Sequence, residues 1–285
     1  MKVAVIGANG FLGRALTATL AREGIPAIRA SHHGAADIPL DFEKPFDGPV
    51  ADMAGASHAV ICSAISNIDR CFEHPAETGR FNVARTQALI AALHARDIVP
   101  VFCSSDVVFR GDRGAYGEYE AREPTTVYGQ QKRAVEDYLL AGARPHLIVR
   151  LSKLYSTDET DTSPIRQTIA RLRSGQRVLA ATDAMICPTN VMDIAQGIVR
   201  LMAGGAAGPF HMGPPRDGWY TRYTLAMTLA ARLNAENLVD ACLSADLPVK
   251  DPRPRDCSLL NDRLRAQTGW QPRPFSADLD TVMPR

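Results

Sequence analysis

Tyr128 and Lys132 stand four residues apart in Thr125-Thr126-Val127-Tyr128-Gly129-Gln130-Gln131-Lys132, which reads as the opening of a helix. On a helix that spacing puts both side chains on one face, roughly 6 Å apart at Cβ. A free phenol loses its proton only near pH ~10. A fixed ammonium beside it favours the phenolate and would bring that value toward neutrality, where proton transfer is easy. The same spacing also suits an ordinary amphipathic helix with a half-buried tyrosine and a solvated lysine. The pair needs company before it means chemistry.

Two further stretches supply it. Lys2-Val3-Ala4-Val5-Ile6 is a β-branched run that ends at Gly7-Ala8-Asn9-Gly10-Phe11-Leu12-Gly13, and residues 14–23 then look helical. A strand, a glycine turn and a helix start make a phosphate site, because the backbone can approach a pyrophosphate and the helix N-terminus favours its charge. The spacing is G-x-x-G-x-x-G, and glycine alone also makes tight turns. The second stretch, residues 98–103, reads as a strand that delivers Ser104-Ser105-Asp106 at its end.

These residues must be held by alternating elements. Residues 26–30 form a second strand-like run, followed by Ser31-His32-His33. No acid stands at that strand end to take a ribose 2′-hydroxyl. Arg29, with Ser31 and His32 nearby, suits a 2′-phosphate instead, unless it is only a solvated edge charge. Leu40-Asp41-Phe42 reads as a short strand end whose Asp and Phe could bond and flank an adenine. Residues 58–64 form a buried-type strand ending in small residues, Ser63 and Ala64 among them, which leave room for a ligand. Residues 76–96 carry one long helical pattern, the opening helix ends near Gly142, and residues 145–150 form another strand. Such alternation predicts an α/β, Rossmann-type doubly wound parallel sheet. Beyond it, helical pieces at 163–174, 191–203, 224–233 and 259–268 and a strand at 177–180 predict a smaller, interleaved substrate domain. The expected division is 1–155 with 187–204 for the dinucleotide-binding domain, and 156–186 with 205–285 for the smaller one.

Composition narrows the partners. At 285 residues and a net charge of +1, the chain offers no argument for nucleic acid or an anionic membrane. No apolar run approaches the roughly 18 residues a bilayer needs, and the start lacks a signal-peptide core. None of the six cysteines forms a C-x-x-C pair, and no histidines cluster at zinc spacing, so no metal is expected. A reduced, soluble, cytoplasmic protein is the expectation.

Taken together, these pieces resemble the extended short-chain dehydrogenase/reductase family, and within it the dTDP-4-dehydrorhamnose reductase-like group. Residues 103–111 look like that group's S-[ST]-D-x-V-F-x-G segment, and residues 123–132 are similar to its P-x-x-x-Y-G-x-x-K. Asp41-Phe42, Phe81-Asn82-Val83, the P-T-x-V-x-D-I-A-like 187–195 and the late Arg253-Pro254 with Ser258-Leu259 extend the likeness over nearly the whole chain. The resemblance implies that Tyr128 donates a proton to a carbonyl oxygen, that Lys132 holds the nicotinamide ribose, and that Ser105 bonds the same oxygen. It implies cofactor contacts from Gly7, Asn9, Gly10, Phe11, Leu12, Arg29, Asp41, Phe42, Ser63, Ala64, Ile65 and Asn82 besides Tyr128 and Lys132. NADPH is the expected cofactor, with NADH as the alternative.

Ser105, Asp106, Val107, Lys153 and Arg253 are the expected substrate contacts. Two of them depart from the group, which usually carries Tyr at position 107 and Trp at 153; losing two aromatic contacts points to a different sugar or carbonyl compound. Lys153 would meet a phosphate or carboxylate, unless it is merely solvated. The expected activity is reduction of a carbonyl on a nucleotide-activated 4-keto-6-deoxy sugar, with a homodimer left open. Competing readings are an epimerase or non-sugar reductase on the same scaffold, and a cofactor-binding regulatory subunit like that of methionine adenosyltransferase.

Overall fold

In the computed structural model the protein is described at residues 1–158, 161 and 163–284. Residues 159, 160, 162 and 285, part of the span expected for the smaller domain, lie outside the described residues. Val3–Ile6 (β1) shows why the centre is a sheet covered on both faces: all four residues are fully buried. Val3 and Val5 face one helical layer while Ala4 and Ile6 face the other. Strands buried on both faces read as continuous apolar runs, and β1 is one.

The chain then alternates as expected. Phe11–Arg22 (α1) leads to Ala27–Ser31 (β2) and Ile38–Pro39 (β3); Asp47–Ala51 (α2) leads to His58–Ile61 (β4). Ile68–Glu73 (α3), Pro75–Gly79 (α4) and Thr86–His94 (α5) precede Val99–Ser105 (β5), and Val127–Ala141 (α6) precedes Leu147–Leu151 (β6). Lys153–Tyr155 (β7), Pro164–Arg173 (α7), Val178–Ala181 (β8), Met185–Ile186 (β9) and Pro188–Asn190 (β10) follow, then Val191–Ala203 (α8) and Gly208–Met212 (β11). Tyr220–Thr221 (β12), Arg222–Ala231 (α9), Val239–Cys242 (β13), Asp262–Thr268 (α10) and Leu279–Val282 (α11) complete it. The main sheet is seven-stranded and parallel, in the order β11-β6-β5-β4-β1-β2-β3. The order reverses between β1 and β4, so the carboxyl ends there form the crevice where doubly wound sheets take ligands.

Leu16, Leu20, Ile194, Ile198 and Leu201 of α1 and α8 cover one face, and Leu89, Leu93, Val135 and Leu139 of α5 and α6 cover the other. A third core, with Tyr155, Ile169, Leu225, Leu229 and Phe275, builds the smaller layer from α7, β8, β9 and α9.

Several expectations shift, each for a physical reason. α1 begins at Phe11 rather than at Arg14, so Gly13 lies inside the helix; a Cβ there would sit 2.1 Å from the Gly7 carbonyl oxygen. Only glycine lets this helix press against the turn below it. The long helix expected over 76–96 is split by a π-helical turn at Arg80–Arg85, which carries Asn82. The strand near Asp41 ends earlier, at Pro39, and Asp41 instead accepts from the Glu43 N–H at 2.9 Å in a turn. β11 lies outside the expected strands: Gly208-Pro209-Phe210-His211-Met212 is short and opens with glycine and proline, both disfavoured in strands. It is an edge strand, where a proline lacking an N–H is tolerated. With β11 in the main sheet and Leu264 of α10 in the core beneath it, part of 205–285 lies with the large layer.

Candidate active site

The glycine turn is shaped as a cradle. Gly7 has φ +83°, and a Cβ there would meet Ser63 Oγ at 2.5 Å, so a side chain is excluded twice over. The Gly7 N–H donates to the Ala30 carbonyl at 2.8 Å, and Asn9 Nδ2 donates to the His33 carbonyl. Gly10 caps α1 without a side-chain acceptor, so the first amides of the helix at Phe11 and Leu12 have none from that residue. Bare amides, a helix N-terminus and no Cβ in the way are what a pyrophosphate requires. The turn fits a dinucleotide.

The adenine side is less simple. Arg29 bonds Asp37 through its backbone N–H at 2.8 Å and its guanidinium at 3.0 Å, and that neighbour raises its pKa. Its charge is therefore already balanced within the chain. Ser31 Oγ donates to the His33 carbonyl at 3.1 Å, and His32 Nδ1 lies 3.8 Å from Asp41 Oδ1. Phe42 is not free to flank a base: it is buried and stacked on Phe81 at 4.4 Å. Asn82 has a clear task. From the π-helical turn its side chain accepts from the Ile65 N–H at 2.9 Å and donates to the Ile65 carbonyl at 2.9 Å. It thereby pins the loop after β4 beside Ser63 and Ala64; such single π-helical turns recur at functional sites.

Ser105 ends β5. Its Oγ donates to Asp106 Oδ1 at 2.9 Å and caps the turn Asp106–Val108. Burial pushes the Asp106 carboxyl up to about 6, with the Ser105 hydrogen bond and Lys153 pulling the other way. Tyr128 opens α6, whose N-cap Thr126 accepts from the Gly129 N–H at 3.1 Å and whose Val127 N–H donates to Asp251 Oδ2 at 3.0 Å. A Cβ on Gly129 would stand 2.2 Å from the Val107 carbonyl oxygen. The Tyr-Gly pair is thus what lets α6 come close to the Ser105 turn.

Lys132 is buried and donates from Nζ to the Cys103 carbonyl at 2.7 Å, 4.6 Å above the Phe102 ring and 5.6 Å from the Tyr128 ring centre. The expectation that Lys132 lowers the Tyr128 pKa is not met in this chain. Burial raises the Tyr128 phenol, aided by Cys71, Asp106 and Cys103, and burial brings Lys132 down to about 8. Desolvation disfavours the phenolate. Tyr128 is held as a phenol that keeps its proton.

A cleft of about 600 Å³ joins these parts. Gly10, Phe11, Leu12, Ala64, Ser105, Asp106, Val107, Tyr128, Lys153 and Arg253 all line it. Arg29, Asp41 and Phe42 do not, and Lys132 and Asn82 act from behind the wall. Arg222, first residue of α9, also lines the cleft. Sequence reasoning missed it, because no motif marks an arginine ~70 residues beyond Lys153.

Behind Ser105 lies a buried ionic network. Glu136, on α6 one turn beyond Lys132, accepts from Ser104 Oγ at 2.5 Å and from Arg150 at 2.8 Å, and from Arg122 at 3.1 Å. Arg150 Nη1 also donates to His211 Nε2 at 3.1 Å, so His211 keeps its proton on Nδ1, facing the Leu260 carbonyl at 3.0 Å. Burial, then the Arg150 charge, lowers the His211 pKa to about 3. An unfolded histidine titrates near 6.5, so below that pH the unfolded chain takes up a proton the folded one refuses. The His211 contribution is complete above pH ~6.5 and is lost as pH falls toward 3, by about 1.4 kcal/mol per pH unit. Guanidinium unfolding at pH 7.5 and 5.0 should show about 2 kcal/mol of this loss, and His211→Gln should remove most of it. An equal pH slope in both proteins would contradict the assignment.

Among the described residues no group of side chains could hold a metal, and no helix is long and apolar enough to cross a membrane.

The chain matches the family model described as RmlD substrate binding domain over residues 1–285. It is 26% identical to a probable low-salt glycan biosynthesis reductase of Haloferax volcanii, covering 96% of this chain and 95% of that protein. It is 33% identical to a dTDP-4-dehydrorhamnose reductase of Streptomyces griseus, covering 72% and 66%. The fold is similar to that of a Bacillus anthracis dTDP-4-dehydrorhamnose reductase solved in complex with NADP, with a TM-score of 0.86, 22% identity and 99% of each chain covered.

Proposed function

The chain belongs to the RmlD substrate binding domain family, and from that premise we propose that it is an NAD(P)H-dependent reductase of a carbonyl on a nucleotide-activated 4-keto-6-deoxy sugar. One observation carries the reading: Ser105 and Tyr128 line the same cleft as the bare phosphate turn Gly10–Leu12. Chemistry and cofactor therefore share a wall.

The residues divide the work. The Phe11 and Leu12 amides at the start of α1 would take the pyrophosphate. A bound dihydronicotinamide would supply hydride to the carbonyl carbon. Tyr128 donates its proton to the carbonyl oxygen. Ser105 turns its hydroxyl from Asp106 toward that oxygen and stabilises the developing alkoxide. Lys132, anchored on the Cys103 carbonyl, would hold the ribose hydroxyls and fix the geometry. Arg222 and Arg253 would meet the substrate's diphosphate.

We propose NADPH over NADH because β2 ends without an acid to take a ribose 2′-hydroxyl; Arg29 contributes less to a 2′-phosphate, being held by Asp37. The test is NADPH oxidation against a panel of nucleotide-linked keto sugars, repeated with NADH. Net oxidation with a keto sugar supports the reductase, and silence across the panel overturns it. A kcat/KM for NADPH no larger than that for NADH removes the cofactor preference alone.

A further inference from the structure

Residues 250–256 form a strap with no helix or strand, and a handful of bonds fix it to the parts that carry the chemistry. On α3, Asp69 Oδ1 accepts the Lys250 N–H at 3.1 Å and the Asp251 N–H at 3.2 Å, while Asp69 Oδ2 pairs with the Arg253 guanidinium at 2.9 Å. At its other end, the Arg255 and Asp256 N–H groups both donate to the Gly111 carbonyl, at 3.0 and 2.9 Å, on the loop after β5. Between these anchors Asp251 turns its carboxylate onto α6, where Oδ2 accepts the Val127 N–H at 3.0 Å.

Asp251 is buried, and its carboxylate sits at the first turn of α6, one residue before Tyr128. A helix start leaves its first amides without partners inside the helix, and a carboxylate there both takes an amide and meets the positive end of the dipole. Thr126 Oγ1 serves the Gly129 N–H and Asp251 serves the Val127 N–H, so the two bonds bracket Tyr128. One comes from the helix's own cap, the other from the far end of the chain. Arg253 lines the cleft from the same strap and donates to the Asp251 carbonyl. A guanidinium has more N–H donors than Asp69 and that carbonyl use, so it can also take a diphosphate.

We infer that Asp251 is a positioning residue for Tyr128, and that through it the strap links a diphosphate held at Arg253 to the aim of the proton donor. The inference rests on the reductase reading and adds to it a device that steadies the acid's helix when the nucleotide end of the substrate is seated. Hydrogen exchange of the amides in residues 125–132 of the NADP-loaded protein, with and without saturating dTDP, tests the link, and calorimetry reports whether dTDP is bound. In the wild type dTDP should slow this exchange several-fold, an arm that needs no substitution. Asp251→Ala should still bind dTDP, through Arg222 and Arg253, yet show no such protection. In NADPH oxidation with a keto sugar, Asp251→Ala should lower kcat about tenfold and leave KM within a few-fold. Asp251→Asn, which keeps an acceptor for the Val127 N–H, should restore most of that rate. Bound dTDP that leaves the wild-type exchange untouched, or protects Asp251→Ala equally, would overturn the link, and so would a failure of dTDP to bind. A loss that falls on KM, or an Asn variant no better than Ala, would reduce Asp251 to a structural cap and overturn the positioning role. Failure of the reductase reading shows differently: the wild type then turns over no keto sugar, and the exchange measurement alone decides the link.

Discussion

Tyr128→Phe should lower kcat by about 10²–10⁴-fold while NADPH binding, read by fluorescence titration, changes by only a few-fold. The substitution deletes one oxygen from a ring that is 8% exposed, so the helix start and its packing survive. What disappears is the acid. A phenol keeps its proton throughout the neutral range, so the rate depends on its delivery. Unchanged turnover would remove Tyr128 from the reaction and with it the mechanism above. Ser105→Ala should cost less, about 10²-fold, since it removes a hydrogen bond to the oxygen and leaves the donor in place.

Arg150→Met should destabilise the fold by about 3–5 kcal/mol, the largest loss we expect from any single substitution. Arg150 and Glu136 are 1% and 0% exposed, so the variant leaves a carboxylate in the interior without its main partner, with Arg122 and Ser104 still beside it. His211 would at the same time lose the guanidinium that donates to its Nε2. Guanidinium unfolding measures the loss. A double variant, Glu136→Leu with Arg150→Met, should recover part of it, because an apolar pair costs less than a lone buried charge. A loss below about 1 kcal/mol, or no recovery in the double variant, would show that the pair is not what holds α6 against β6. The network matters for chemistry because Ser104 precedes Ser105 and Glu136 shares α6 with Tyr128 and Lys132. It fixes the two catalytic elements against each other.

The order of elements and the residue types at the reacting centre are legible in the local amino-acid pattern. The β-branched run before Gly7, the glycine turn, the strand ending at Ser105 and the Tyr128/Lys132 spacing are all local patterns, and the backbone periods of strand and helix read them directly. Even Gly129 followed from the Tyr-Gly motif, although its reason, the 2.2 Å approach to the Val107 carbonyl, did not.

What those residues experience is set by packing between distant parts of the chain. It is the fold that fixes their surroundings. It tied Arg29 to Asp37 and Phe42 to Phe81, and put Lys132 on the Cys103 carbonyl. It drew Arg222 into the cleft from the far end of the chain and carried β11 into the main sheet despite its proline. It also reversed the expected effect on Tyr128. Each of these depends on neighbours far away in sequence and on how much water they exclude, and neither quantity is written into a local spacing.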